Sequence, residues 1–281
     1  MTTVAHPRPG RAEVAAAYDL GVDAYAALWS PVILPAAQAV VAALALSRGD
    51  RVLDVGTGTG ALVPSMRAAA ADVTVVGLDA SAAMLRRCRS ATGIPAIRGD
   101  ALALPIRDAA VDAVVLAFVL FHLSDPIRAV AEAARVLTSG GRVGTATWAQ
   151  DDSMEADAVW DRTLSEVGAP PLPARRVDAG LDSPGAIDRL LTGAGLSPTR
   201  IWPEQLRHQW APSTYYRFAT GSGRNKQRLQ QLGAGVRSEV LQRARTRLGA
   251  LDPDAFAWSG EVICAVASLP HQAGNGRFRR R

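Results

Sequence analysis

Between residues 51 and 148 the chain alternates short apolar runs with segments whose apolar residues recur at helical spacing. Short apolar runs bounded by turn signals suit buried strands, and recurrence every three or four residues suits helices packed on one face. The pattern predicts strands at 51–55, 73–78, 94–98, 111–119 and 142–148, and helices at 61–71, 81–91 and 127–137. The last helix has apolar positions at Ile127, Val130, Ala134 and Leu137. Ser124 or Asp125 can cap it, and Pro126 suits its first turn. Gly140 and Gly141 then end that unit. Strands joined through short helices imply right-handed crossovers and a parallel sheet.

The flanks follow another rhythm. Residues 1–10 read as a disordered arm. Arg11 to Leu46 is helical and alanine-rich, with Pro31 and Pro35 expected to break it. Residues 150–197 hold acids, prolines and one helical stretch near 185–194. Stretches 199–210 and 261–268 read as strands that could complete the sheet. Between them, 215–251 reads as a polar, basic helical insertion standing above it. The expected organisation is a helical cap at 1–46 and an α/β domain at 47–270. Within that domain the insertion falls at about 213–252, and a disordered basic tail covers 271–281.

Composition changes little in this picture. With 281 residues and 48% apolar content, the chain can bury the core of one large domain. The formal net charge is +5, and Arg277, Arg279, Arg280 and Arg281 in the tail account for all but one of it. The stretch from Gly223 to Arg247 carries Lys226 and six arginines against Glu239 alone. Neither basic stretch has aromatic residues spaced for base stacking, so a solvated helix face and a loose tail are expected rather than a nucleic-acid site. Cys88 and Cys264 have no neighbours at metal spacing, and neither a disulfide framework nor a metal site is expected. The N-terminus lacks the apolar core of a signal peptide. The early apolar run from Pro31 to Leu46 is shorter than the roughly 20 residues of a membrane span. A soluble cytoplasmic chain is the expectation.

Candidate chemistry begins at VLDVGTGTG, Val52 to Gly60. Glycines at a strand end permit positive φ and let a ligand approach the backbone. Gly56, Gly58 and Ala61 also satisfy a dinucleotide-type G-x-G-x-x-A loop, so the glycines alone leave two cofactors open. Asp54 separates them. A buried carboxylate would repel a pyrophosphate but favours a ligand that carries an ammonium and a sulfonium, which points to S-adenosylmethionine. Asp79 ends the next strand, where an acid can accept from ribose hydroxyls. Met84 follows on the next helix and could pack on adenine. In GDALALP, Asp100 could accept from the adenine amino group while the Ala101 N–H donates to the ring. All these pieces follow predicted strands, where open α/β sheets bind ligands.

VLDVGTGTG, GLDAS with Met84-Leu85, GDALALP, the stretch 111–126 and RVLTSGGRVGTATW occur in the order of the class I S-adenosylmethionine-dependent methyltransferases, which this chain resembles. It looks like the branch that includes the ubiquinone and menaquinone biosynthesis enzymes, closely over about 48–150 and in outline elsewhere. The resemblance implies a Rossmann-like, seven-stranded, mostly parallel sheet with an antiparallel last strand. It implies that the N-terminal helices and the insertion form a substrate lid. It places Asp54 and Gly56 at the methionine end, Asp79 at the ribose, Asp100 with Ala101 at the adenine and the Ala117 carbonyl facing the amino group. Thr57, Gly58, Gly60, Ala80, Met84 and Phe118 complete the cofactor set. No Asp-Pro-Pro-Tyr or Asn-Pro-Pro-Tyr follows the fourth strand, which argues against methylation of exocyclic amino groups on DNA bases.

An oxygen acceptor would also need its proton removed. His122, just past the fourth strand, is the first candidate; His208 is the second, and His6 lies in the arm. Tyr18, Tyr25 and Trp29 are spaced seven and four residues apart, near one helical face. They join Phe121, Trp210, Tyr215 and Tyr216 as candidate acceptor contacts. The reading is methyl transfer to a small, hydrophobic or aromatic acceptor, with O-methylation ahead of C- or N-methylation. A nicotinamide-dependent oxidoreductase, a non-catalytic binding protein and a nucleic-acid methyltransferase are the alternatives.

Overall fold

A computed structural model of the chain describes residues 10–151, 153–170 and 180–271. His6 and the arginine-rich tail lie outside the described residues. Seven strands form one sheet in the order β3-β2-β1-β4-β5-β7-β6. Their spans are β1 Arg51–Val55, β2 Thr74–Asp79, β3 Ala96–Arg98, β4 Val111–Ala117, β5 Leu137–Asp151, β6 Ser197–Gln209 and β7 Ala257–Ser268. β7 runs antiparallel to both its neighbours, and the other pairings are parallel. The expected sheet is therefore present, with β7 as its antiparallel member.

Alternation along β1 and β4 sorts the core into two layers. Val52, Ala113 and Val115 face one apolar cluster with Val40, Val41 and Leu44; Leu53, Val114 and Leu116 face another with Val130, Ala133 and Ile187. The first layer is built by α2 (Ser30–Ala43), α3 (Val63–Ala69) and α4 (Ala82–Thr92), the second by α5 (Pro126–Val136) and α7 (Pro184–Gly193). Asp54 shares the face of Val52 and so points beneath α2. Asp125 is the residue that caps α5, accepting from the Arg128 N–H at 3.0 Å.

Pro31 and Pro35 do not break the N-terminal helix. α1 (Arg11–Ala24) runs through a π-helical turn at Tyr25–Trp29 directly into α2. Pro31 falls in the first turn of α2, where a missing N–H costs least. The wider π turn before it eases the clash with the preceding carbonyls. The continuous helix Arg11–Ala43 is long and apolar enough to span a membrane by length and composition alone. In this fold α2 is a core helix, with Val32, Ile33, Ala36, Ala37, Val40 and Val41 buried against the sheet.

A second difference is α6 (Glu155–Ser165), in a stretch expected to be irregular. Its buried Ala156, Trp160 and Leu164 recur every four residues, and Glu155 and Asp157 stand in its first turn. The insertion folds as α8 (Pro212–Gly221), α9 (Gly223–Gln230) and α10 (Ala234–Gly249). It packs on α1 and α6 above the carboxyl ends of the strands. Arg243 and Arg247, expected on a charged outer face, both pair with Glu166 and so fasten α10 to the end of α6.

Candidate active site

The glycine loop leaves β1 and returns over β2. Gly56, Gly58 and Gly60 have φ of 73°, 55° and 79°, which L side chains rarely adopt. The Gly56 and Thr57 N–H groups both donate to the Leu78 carbonyl, at 2.7 and 3.0 Å. A Cβ on Gly56 would run into Val119. A Cβ on Gly58 would find no atom nearer than 3.9 Å and would project into the cleft. Asp79 ties the loop down, accepting from Gly58 N at 2.9 Å and Ser81 N at 2.8 Å. Burial pushes its carboxyl upward, and these backbone bonds oppose that shift.

Beside the loop lies a cavity of about 50 Å³, lined by Asp54, Gly56, Tyr25, Ser30, Ala117 and Phe118 among others. Asp54 is 3% exposed, and its Oδ2 has no hydrogen-bond partner. Burial pushes this carboxyl up to about 7, against a hydrogen bond from Thr57, and the charge of Asp79 adds to the shift. A buried, half-satisfied carboxylate is destabilising unless a cation or donor meets it. The open space at Gly58 and the orphan oxygen of Asp54 therefore fit a ligand with an ammonium group. Phe118, immediately after β4, sits at φ 58°. A non-glycine residue there stores strain of about 1–3 kcal/mol, and such residues cluster at working sites.

α1 closes the cleft. The Tyr18 hydroxyl meets His122 Nε2 at 2.9 Å, bridging the lid to the short 3₁₀ turn Leu120–His122 after β4. Asp19 accepts from the Ser81 hydroxyl at 2.6 Å and the Ala83 N–H at 2.8 Å, at the N-terminus of α4. Arg11 pairs with Asp100 at 2.7 Å. The carboxylate expected to receive adenine thus holds a lid arginine, and its Oδ1 accepts from Leu102 N. Tyr25 is edge-on to Tyr18, with centroids 5.5 Å apart, and its ring reaches over Gly58. The lid is backed by the insertion: Lys226 Nζ donates to the Leu20 carbonyl at 2.9 Å, and the backbones of Gly21 and Gly223 touch where a Cβ would not fit.

The expected acceptor contacts divide into two sets. Trp29 is the hub of an aromatic cluster, 5.1 Å from Trp258, 5.5 Å from Phe218, 6.3 Å from Trp148 and 6.5 Å from Trp210. Trp148 in turn lies 5.1 Å from Phe118, so the cluster abuts the cavity. The Phe121 ring lies tilted at 46° to that of His122, with centroids 4.2 Å apart. Tyr215 is instead fully buried, its hydroxyl on Asp157 at 2.7 Å and its ring edge-on to Phe256. Tyr216 turns toward Trp160, with its hydroxyl on the Leu241 carbonyl at 3.3 Å. Met84 is fully buried and offers no open face. His208 sits on β6, at the far edge of the sheet from β1, edge-on to Trp210 at 4.5 Å; burial lowers its pKa. Arg11, Asp19, Trp148 and Trp258 escaped the sequence reading. Trp148 could have been found, because it ends a predicted strand at the ligand-binding edge. Among the described residues no group of His, Cys, Asp and Glu could hold a metal.

Residues 53–144 match the methyltransferase domain family. Over 98 residues the chain is 42% identical to a demethylmenaquinone methyltransferase of Deinococcus radiodurans, spanning 33% of this chain and 41% of that protein. Over 106 residues it is 42% identical to the Thermus thermophilus protein of the same name, spanning 36% of this chain and 48% of that one. The chain spans less than half the length of these relatives. The fold is shared with the cyclase SpnF (TM-score 0.59, 21% identity, 95% of this chain and 99% of that one). It is also shared with a Haemonchus contortus phosphoethanolamine N-methyltransferase solved with S-adenosyl-L-methionine (TM-score 0.51, 15% identity, 90% of this chain and 57% of that one). The matched residues run from β1 into β5 and include the glycine loop, so this part of the chain is similar to a methyltransferase domain. Over the aligned residues it resembles the quinone-biosynthesis methyltransferases.

Proposed function

We propose that the chain transfers a methyl group to a small, hydrophobic or aromatic acceptor, with an oxygen acceptor favoured. The carrying observation is the orphan Oδ2 of Asp54 in a cavity that adjoins the tryptophan cluster through Phe118. Asp54 would hold the ammonium group, the glycine loop the backbone of the methionine end, and Asp79 the ribose. Asp100 and Ala101 would take the adenine once Arg11 gives way. That exchange is cheap, since the Arg11 side chain is 61% exposed and such pairs contribute little. Bound S-adenosylmethionine would supply an electrophilic methyl group on a good leaving group. The protein's own work is then alignment and exclusion of water, which α1 and the aromatic cluster are placed to perform.

The Tyr18–His122 pair supports the oxygen acceptor. With His122 Nε2 engaged by Tyr18, the acceptor's proton can pass to the Tyr18 oxygen while Tyr18 gives its own proton to Nε2. Because Tyr18 rides on the lid, this relay assembles only with α1 closed. A cytoplasmic enzyme acting without nucleic acid is part of the same reading. The ion pairs of Arg243 and Arg247 with Glu166 support it, since they occupy arginines that a phosphate backbone would need.

The experiment is methyl transfer from labelled S-adenosylmethionine to a panel of phenols, quinols and amines, beside calorimetric titration with S-adenosylhomocysteine and NAD. Labelled phenolic ethers and heat from S-adenosylhomocysteine are expected. Heat from NAD alone overturns the cofactor assignment. Cofactor binding without transfer to any acceptor favours the second reading, a non-methylating use of the fold. That reading is supported by the 95% of this chain that aligns with the cyclase.

A further inference from the structure

Arg228 lies on α9 with 4% of its side chain exposed. Its Nη1 donates to Asp161 Oδ1 of α6 at 2.6 Å and to Asn225 Oδ1 at 3.3 Å. Its Nε and Nη2 are buried and have no partner. These two atoms form one edge of the guanidinium, and their parallel N–H groups match the paired oxygens of a carboxylate or phosphate. Leaving that edge empty in the interior is unfavourable, because a buried donor without an acceptor loses its hydration for nothing. Asp161 compensates in part only: its side chain is 52% exposed and meets the other edge of the group.

A second orphan donor lies on α6. Trp160, next to Asp161 on α6, is buried with its Nε1 unpartnered, and its ring stands edge-on to Tyr216 of α8 at 6.4 Å. Among the described residues, the buried side-chain atoms of α6, α8 and α9 that lack partners are all donors: Arg228 Nε, Arg228 Nη2 and Trp160 Nε1. A buried cation with an unpartnered donor edge is what an oxyanion satisfies.

We propose that the helical insertion carries an oxyanion-binding site, in which Nε and Nη2 of Arg228 grip a carboxylate or phosphate group. Binding at this site does not depend on methyl transfer. Assigning the oxyanion to the methyl acceptor does rest on the proposed function, because it makes the acceptor an acid whose charged end lies in the insertion. The insertion is fastened to the lid by Lys226 and by Gly223, so an anion between α6 and α9 would also steady α1.

The test uses the full chain labelled with ¹⁵N-arginine, titrated with inorganic phosphate and with benzoate against chloride at matched ionic strength. One slowly exchanging arginine Nε–H resonance should shift saturably. Arg228→Lys keeps the charge but loses the paired donors, and should remove that resonance and weaken binding about ten- to a hundredfold. Unchanged titration with S-adenosylhomocysteine confirms that the variant is folded. Tighter benzoate than phosphate assigns the oxyanion to the acceptor, and the reverse order assigns it to free phosphate. No saturable shift with either anion, or equal affinity in the folded lysine variant, overturns the site. If Arg228→Lys does not fold, the wild-type titration decides alone. None of these readouts requires turnover, so a failure of methyl transfer would be seen separately.

Discussion

Tyr18 on the lid and His122 beyond β4 are 104 residues apart in sequence, yet their hydroxyl and Nε2 atoms meet at 2.9 Å. The contact joins closure of the cleft to the group that can accept a proton. Tyr18→Phe should therefore lower turnover by about 10²–10⁴-fold, as loss of a general base does, with cofactor affinity little changed. His122→Ala should fall in the same range, and the double change should cost scarcely more than either alone. Single-turnover rates of the three variants check this. Additive losses would show two independent roles.

Under the proposed function, Asp54 should make cofactor affinity depend on pH. Its carboxyl is pushed up to about 7 chiefly by burial, so the free protein holds a proton there below neutrality. An ammonium group beside it favours the ionised form, and binding releases that proton. Affinity for S-adenosylhomocysteine should rise with pH up to about 7 and level off above. The stability of the free protein runs the other way. A carboxyl whose folded pKa lies above its unfolded value stabilises at low pH, and that contribution is lost as pH rises from about 4 to about 7. Asp54→Asn should flatten both profiles. Calorimetry in buffers of different ionisation heat reads the released proton directly.

What could be read from the sequence was local. β1, the glycine loop and Asp79 follow one another within thirty residues, and hydrophobic period plus turn chemistry fixes them. α6 was hidden because Trp160 and Leu164 stand among acids and near prolines, where composition argues for a loop. β7 starts four residues before its apolar run at Glu261, since pairing with β6 extends it through Trp258. The lid contacts were invisible for a different reason. Arg11–Asp100, Asp19–Ser81 and Tyr18–His122 join residues at least 62 positions apart, and only the path of α1 across the cleft brings them together. The two tyrosines parted company for a reason of their own. Tyr215 and Tyr216 are neighbours in sequence, but helical geometry sends one to Asp157 and Phe256 and the other to Trp160.

Asp79 holds the loop, and the proposed function gives it the ribose. Asp79→Ala should weaken S-adenosylhomocysteine binding by about 1.5–3 kcal/mol, the range for hydrogen bonds to a charged group. Asp79→Asn can still accept from Gly58 N and should lose less. Equal affinities for all three proteins would place the ribose elsewhere.

Trp148 and Tyr215 separate acceptor contact from cap stability. Trp148 joins Phe118 at the cavity to Trp258 and Trp29, so Trp148→Ala should raise KM for an aromatic acceptor while leaving cofactor affinity near its original value. Tyr215→Phe removes the hydroxyl's hydrogen bond to Asp157 and should lower stability by about 1–3 kcal/mol with KM unchanged. Denaturant melts beside acceptor kinetics distinguish the two. A raised KM in the tyrosine variant would move Tyr215 into the acceptor site.

The last prediction concerns how the lid is held. α4 caps itself through Ser81, whose hydroxyl accepts from Met84 N at 3.1 Å, but the Ala83 N–H would remain an orphan of the first turn. Asp19 satisfies it from another helix and takes the Ser81 hydroxyl as well, so the end of α4 and the middle of α1 are capped together. Burial works against the charge on Asp19, yet the bonds from Ser81 and Ala83, with Arg86 and Arg98 nearby, hold its carboxyl below the usual value of 3.8. A depressed carboxyl contributes its stability above that value and loses it as pH falls further. Asp19→Ala should thus cost about 0.5–2 kcal/mol at neutral pH, the range for a lost cap, and the difference from wild type should shrink in acid. Asp19→Asn keeps an accepting oxygen and should recover most of the loss. Hydrogen exchange locates the effect. Amides of α1 should exchange faster in Asp19→Ala, while those of β1 and β4, deep in the sheet, keep their protection. Faster exchange throughout the sheet would make Asp19 an ordinary stabilising residue, and α1 would then be part of the core rather than a lid.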